Sequence, residues 1–305
     1  MSISITETTY KNFGKCVQIE NESIKMLVTI DVGPRIIYFS LNGSENILLE
    51  DEERRFETVL PDGGKWYAYG GHRLWVSPEL IPETYLPDNE PVSYMASGNS
   101  ITFAPPITAA KKRMSVTITF DSVTSEVRLS HKITNLAEDT VEFAAWAITA
   151  LASGGVEVMP QCRRDGGYLS NRSLVLWSYT DINDPRLTLK NDYAVLRQDP
   201  QAKTNFKMGF NNEDGWAAYH IKGQLFTKRL EKLDRTVVYP DGGCNFETYT
   251  NSIFLECETL SPLMQVKHGE SITLTEKWSL SRLDNLAEFS DSFTVDDFAE
   301  KYINT

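Results

Sequence analysis

Apolar and polar residues alternate with a period of two along much of the chain. Across residues 114–120, Met114, Val116, Ile118 and Phe120 share one face and Ser115, Thr117 and Thr119 the other, which predicts a half-buried strand. Residues 126–134 repeat the pattern with Val127, Leu129, His131 and Ile133 on one side, and the short polar turn at 121–125 predicts that the two segments pair as an antiparallel hairpin. Further strands are predicted at 23–31, 35–41, 140–150, 216–220, 224–230, 251–260 and 271–280, all rich in β-branched and aromatic residues. Glycine-bearing turn signals such as Gly33-Pro34, Gly70-Gly71, Gly154-Gly155 and Asp241-Gly242-Gly243 separate them, and no βα alternation appears. Helical spacing is confined to the tail, at 284–289 and at 295–302, where Val295, Phe298, Ala299 and Tyr302 follow i, i+3, i+4, i+7. With no linker, repeat or break in composition, the pattern predicts one all-β domain over 1–305, a large antiparallel sandwich with short C-terminal helices. The segments 67–92 and 159–186 are expected to be long loops over the sheets, where sites tend to be built.

Composition narrows the partners. The 305 residues carry 42 acidic and 30 basic side chains, a net charge of −12, and a chain of that sign repels phosphate backbones and anionic lipid surfaces. Neither nucleic acid nor membrane is an expected partner. The four cysteines, Cys16, Cys162, Cys244 and Cys257, are scattered without a CxxC pair and read as reduced. The N-terminus lacks a signal-peptide pattern and no 18-residue apolar run occurs, so the expected location is the cytoplasm.

Two places could carry chemistry. In Phe254-Leu-Glu-Cys-Glu-Thr-Leu260, strand periodicity puts Glu256 and Glu258 on one face, about 7 Å apart, and Leu255, Cys257 and Thr259 on the other. In a partly closed cleft, repulsion and desolvation would raise the proton affinity of at least one carboxylate and make it usable near neutrality; on a solvated face the pair would be inert. The loop Tyr67-Ala-Tyr-Gly-Gly-His-Arg-Leu-Trp75 places His72 and Arg73 among aromatic rings, a composition suited to stacking on sugar faces and bonding hydroxyls, or equally to pinning a structural loop. His131 shares an apolar strand face and reads as a hydrogen-bonded core histidine. Zincin, α/β-hydrolase, dinucleotide-binding and P-loop signatures are missing, and no aspartate spacing suggests a metal, so no metal or cofactor is expected.

Several segments together resemble the galactose mutarotase-like superfamily. They are Gly33-Pro-Arg-Ile36, Tyr69-Gly-Gly-His-Arg-Leu-Trp75, Asn171-Arg-Ser-Leu-Val-Leu-Trp177 with Tyr179-Thr-Asp181 and Asp184-Pro-Arg186, Tyr239-Pro-Asp-Gly-Gly243, Glu256-Cys-Glu-Thr-Leu-Ser-Pro262 and Gly269-Glu-Ser271. The resemblance spans nearly the whole chain, is nearest to a bacterial aldose 1-epimerase-like branch, and implies a β-supersandwich and a small-molecule sugar as ligand for a monomer or homodimer. It implies that Arg35 and His72 contact the sugar and that Glu258 is the general base of a cofactor-free ring opening, so these three side chains are expected on one concave face. Arg73, Trp75 and Glu256 are further binding candidates from the residues themselves. Established members carry a second histidine as general acid in the segment matching 143–149, and none occurs here. His72, Lys207 or Lys228 is left for that role. Arg172, Asp181, Arg186 and Asp241 lie in segments particular to this branch and are site candidates. Besides an isomerase of the aldose 1-epimerase type, the residues leave open a catalytically silent carbohydrate-binding or sensing protein and a glycoside-processing lyase or hydrolase.

Overall fold

The computed structural model describes residues 3–286 and 293–304. Strand-forming alternation dominates it, as expected. The predicted hairpin forms between Lys112–Phe120 and Val127–Asn135, with Met114 opposite Ile133 and Phe120 opposite Val127. Two large antiparallel sheets result. One has eleven strands, with His72–Ser77, Val141–Leu151, Leu255–Leu260, Phe246–Thr250 and Phe206–Phe210 adjacent in that order through its middle. The other has ten, with Gln224–Leu230, Ser271–Arg282, Val127–Asn135 and Lys112–Phe120 adjacent at its centre. Their facing surfaces bury a continuous apolar core that includes Phe39, Phe120, Leu129, Phe226 and Trp278. This is the supersandwich that the alternation and the resemblance imply.

The strand Val141–Leu151 breaks the alternation because it is buried on both faces from Phe143 onward. One face meets the sandwich core and the other a layer of side chains outside the sheet, so an apolar run replaces the period-two pattern. The two expected loops are also not wholly loops: His72–Ser77 is a central strand, and 159–186 contributes Leu174–Leu176 at the sheet edge. Gly70 and Gly71 permit that strand to begin where it does. Both have positive φ, and a β-carbon at Gly71 would lie 2.0 Å from the Ile36 carbonyl oxygen, so the pair is a close backbone crossing and not a flexible hinge.

The expected tail helix at 295–302 is present as Val295–Tyr302, capped by the Thr294 side chain, which accepts from the Asp297 amide. Phe298 stacks on Trp216 with ring centroids 5.6 Å apart, sealing the outer face of the ten-stranded sheet. Of the other expected tail helix, residues 284–286 are non-helical, and 287–289 lie outside the described residues. No helix among the described residues is long and apolar enough to cross a membrane.

Candidate functional site

Cross-strand register decides which side chains meet on the outer face of the eleven-stranded sheet. Trp75 lies opposite Trp146, Arg73 opposite Ile148, Ile148 opposite Glu258, Glu258 opposite Glu247, and Tyr249 opposite both Glu256 and Lys207. These side chains therefore project to the same side. Above them is a cleft of about 450 Å³, walled by Trp66, Trp75, Trp146, Trp177, Tyr179 and Tyr249, with Arg73, Lys207 and Glu256 among its polar residues.

Its charges are arranged as two compensated groups. The Arg73 guanidinium donates to Glu256 Oε1 at 3.0 Å and lies 4.1 Å over the Trp75 ring. The Lys207 ammonium is 2.8 Å from Glu247 Oε2 and 3.2 Å from Glu258 Oε2, between the rings of Trp146 at 4.7 Å and Trp177 at 4.6 Å. Trp146 Nε1 donates to the same Glu258 oxygen at 2.8 Å, while Glu258 Oε1 has no hydrogen-bond partner among the described residues. Burial raises the proton affinity of Glu258 against the pull of Lys207, with Glu256 adding to the rise. Burial likewise pushes Glu247 up to about 9. Burial opposes the charge on Lys207, but Glu258 and Glu247 outweigh it and hold the ammonium above its ordinary value. Two buried carboxylates share one cation, so the arrangement that balances is a charged lysine with one proton retained on the carboxylate pair.

The two strand-mate glutamates differ in access. Glu256 is 12% exposed and lines the cleft, whereas Glu258 is fully buried beneath Lys207 and Trp146. Trp146 occupies the segment in which the resemblance would have placed the second histidine.

His72 is the main correction. It alternates with Arg73 in the strand, pairs with Thr149, and points into the sandwich, on the opposite side of the sheet from Glu258. His131 Nδ1 bonds the Leu274 carbonyl at 3.1 Å and must donate there; its Nε2 then accepts from His72 Nε2–H at 2.8 Å, and His72 Nδ1 accepts from the Thr149 hydroxyl at 3.0 Å. Both rings are neutral, their proton affinity lowered by burial. His131 is thus the hydrogen-bonded core histidine the sequence suggests. Lys228 also faces inward, donating to the Ala147 and Cys257 carbonyls and the Thr149 hydroxyl, 3.2 Å from Glu276. His72, His131 and Glu276 bring potential ligand atoms within 4.8 Å of one another. The ring nitrogens are committed to the chain just described, and Glu276 accepts from Thr259 and from Trp278 Nε1, so a metal ion fits there only by breaking it.

The remaining candidates do not line the cleft. Arg35 is buried, donates to Asp88 Oδ2 at 2.6 Å and stacks over Tyr69. Arg172 donates to the Cys162 carbonyl, Asp181 caps the Asn183 amide, and Arg186 is a buried bidentate partner of Asp184. Asp241 sits exposed in a tight turn at positive φ. Arg73, Trp75, Lys207 and Glu256 are the predicted residues the cleft brings together, with Glu258 under its floor. Trp146, Trp177, Glu247 and Tyr249 were not singled out from the sequence, although the alternation in Phe246-Glu-Thr-Tyr-Thr250 pairs Glu247 with Tyr249 on one face.

No family model matches the chain, and no curated protein matches it in sequence. Solved structures do match it in shape. A galactose mutarotase-like protein from Lactobacillus casei superposes with a TM-score of 0.57 over 87% of this chain and 100% of its own, at 10% identity. One from Clostridium acetobutylicum gives 0.54 over 92% and 99%, also at 10% identity. A candidate aldose 1-epimerase from Klebsiella pneumoniae gives 0.60 over 92% and 84%, at 11% identity. At this identity the likeness is one of fold.

Proposed function

We propose that a chain with the galactose mutarotase-like fold and this outer cleft is a carbohydrate-binding protein whose ligand is a small sugar. The observation that carries the reading is the set of indole and phenol rings around the Arg73–Glu256 pair and Lys207. Flat rings cover the apolar faces of a pyranose, and fixed charged groups direct hydrogen bonds to its hydroxyls. Saturation-transfer NMR against a panel of neutral aldoses tests it, with saccharide signals weakened in Trp177→Ala. If no aldose gives a signal with the wild type, the reading falls.

A second reading, aldose 1-epimerase activity, is favoured by one observation: Glu258, with raised proton affinity and an unpartnered Oε1, lies against the Lys207 ammonium directly beneath the cleft. A carboxylate of the Glu256/Glu258 pair would take the proton from the anomeric hydroxyl, Lys207 would give one to the ring oxygen as the C1–O5 bond breaks, and reclosure would return both. Exchange NMR of a freshly dissolved aldose tests this step. Accelerated exchange that falls roughly a hundredfold in Glu258→Gln supports it; sugar binding with no acceleration from pH 5 to 9 leaves the silent binding protein.

A further inference from the structure

Beneath the outer cleft, Glu247 and Glu258 lie opposite each other on neighbouring strands, both buried and both against Lys207. Their hydrogen bonding is unequal. Glu258 Oε2 accepts from Trp146 Nε1 at 2.8 Å and from Lys207 Nζ at 3.2 Å. Glu247 has the ammonium 2.8 Å from Oε2, but neither of its oxygens has a hydrogen-bond partner among the described residues. The Cys244 thiol, which lies with Glu247 against Gly209, is committed to the Asp241 carbonyl at 3.1 Å. Glu256, two residues from Glu258 on its strand, is held by Arg73. Burial raises the proton affinity of Glu247 against the pull of Lys207, with Glu258 and Asp241 adding to the rise. A buried carboxylate keeps its charge where donors are directed at it and favours its neutral form where they are not.

We infer that Glu247 is the carboxylate that keeps the shared proton, as a neutral acid with its carbonyl oxygen toward the ammonium, so that Glu258 is the ionised partner of Lys207. Glu247 does not line the cleft, and it acts through its two neighbours as a positioning residue. The assignment of the proton stands without any ligand; its consequence for turnover rests on the epimerase reading. With Glu247 neutral, Glu258 is free to take up a proton, and Lys207, balanced by one anion instead of two, gives its own to the ring oxygen more readily. A second anion beside Lys207 tightens its hold on that proton, so ionisation of Glu247 slows exchange.

Carbon-13 NMR of the glutamate side-chain carboxyls reads the assignment in the wild type, with both resonances assigned by through-bond correlation to their backbone amides. At pH 7 Glu258 should resonate as the ionised form and Glu247 as the protonated form. In Glu258→Gln, which removes the competing anion and one of the two claims on Lys207, the Glu247 midpoint should fall by about one pH unit or more. In Glu247→Gln, a neutral mimic of the protonated acid, Glu258 should stay ionised at pH 7. In exchange NMR of a freshly dissolved aldose, the alkaline fall in rate should follow the Glu247 midpoint and move to higher pH in Glu247→Gln. Glu247 ionised at pH 7, or Glu258 protonated there, overturns the proposal, and an alkaline limb unmoved by Glu247→Gln overturns its part in turnover. If no aldose is accelerated, the epimerase reading falls and the carboxyl titration still decides which residue holds the proton.

Discussion

The two faces of the strand pair Val141–Leu151 and Leu255–Leu260 hold buried charges of the same kinds and use them differently. Inward, Lys228, Glu276, His72, His131 and Thr149 form a chain in which each proton has an acceptor. Outward, one residue along each strand, Lys207 compensates two carboxylates at once, and Oε1 of Glu247 and Oε1 of Glu258 have no hydrogen-bond partner among the described residues. A closed network fixes register and conformation. An open one leaves proton affinity and hydrogen-bonding capacity to be used, and a cleft walled by aromatic rings lies above it.

The largest expected effect breaks the inner network. Lys228→Met strands Glu276 as an uncompensated charge and should cost about 3–5 kcal/mol in denaturant unfolding, with Lys228→Met/Glu276→Leu recovering at least half. Full loss in the double variant would show that the lysine's bonds to the strand carbonyls, and not the ion pair, hold the face together.

The pH dependence of stability sharpens the contrast. Burial pushes Glu157, which accepts from Thr248 inside the sandwich, up to about 8. Its folded value exceeds the ordinary one, so between about pH 5 and 8 folding takes up a proton and stability declines as pH rises through that window. Glu157→Gln removes this uptake. Its stability relative to the wild type should rise across the window by up to about 1.4 kcal/mol per pH unit, read from denaturant midpoints. The neutral histidines act oppositely: their lowered values mean that protonation of the unfolded chain below about pH 6.5 works against folding. Both variants of Glu157 share that term, so it cancels in the difference.

On the outer face the effect should be on the ligand. Trp177→Ala should weaken saccharide binding about tenfold, equivalent to about 1.4 kcal/mol, while moving the unfolding midpoint little, because Trp177 is half-buried near a sheet edge. The smallest effects belong to residues outside both networks. Arg172→Ala and Asp181→Asn, exposed and away from the cleft, should each stay within about 0.5 kcal/mol and leave calorimetric affinity unchanged.

Much of this was written in the chain. Period-two alternation located the hairpin, expected at 114–120 and 126–134 and found at Lys112–Phe120 and Val127–Asn135, and the start of Ser271–Arg282, which runs two residues past its expected end at 280, because these strands have one face on the core and a more exposed face opposite. It also placed Glu256 and Glu258 on one face and Cys257 on the other, since alternation is local geometry. Strands such as Val141–Leu151, apolar on both faces, carry no sign of which side faces a cleft. Nor could periodicity separate His72 from Arg73: neighbours on a strand must point oppositely, and only the pairing of His72 with Thr149 decides which of them goes inward. Tertiary structure alone set Lys207 over Glu258, 51 residues away, and His72 against His131, 59 residues away, from the facing sheet. Sequence determines the period of each strand; the sign of its faces and the partners across them follow from register and packing, to which residues far apart in the chain contribute jointly.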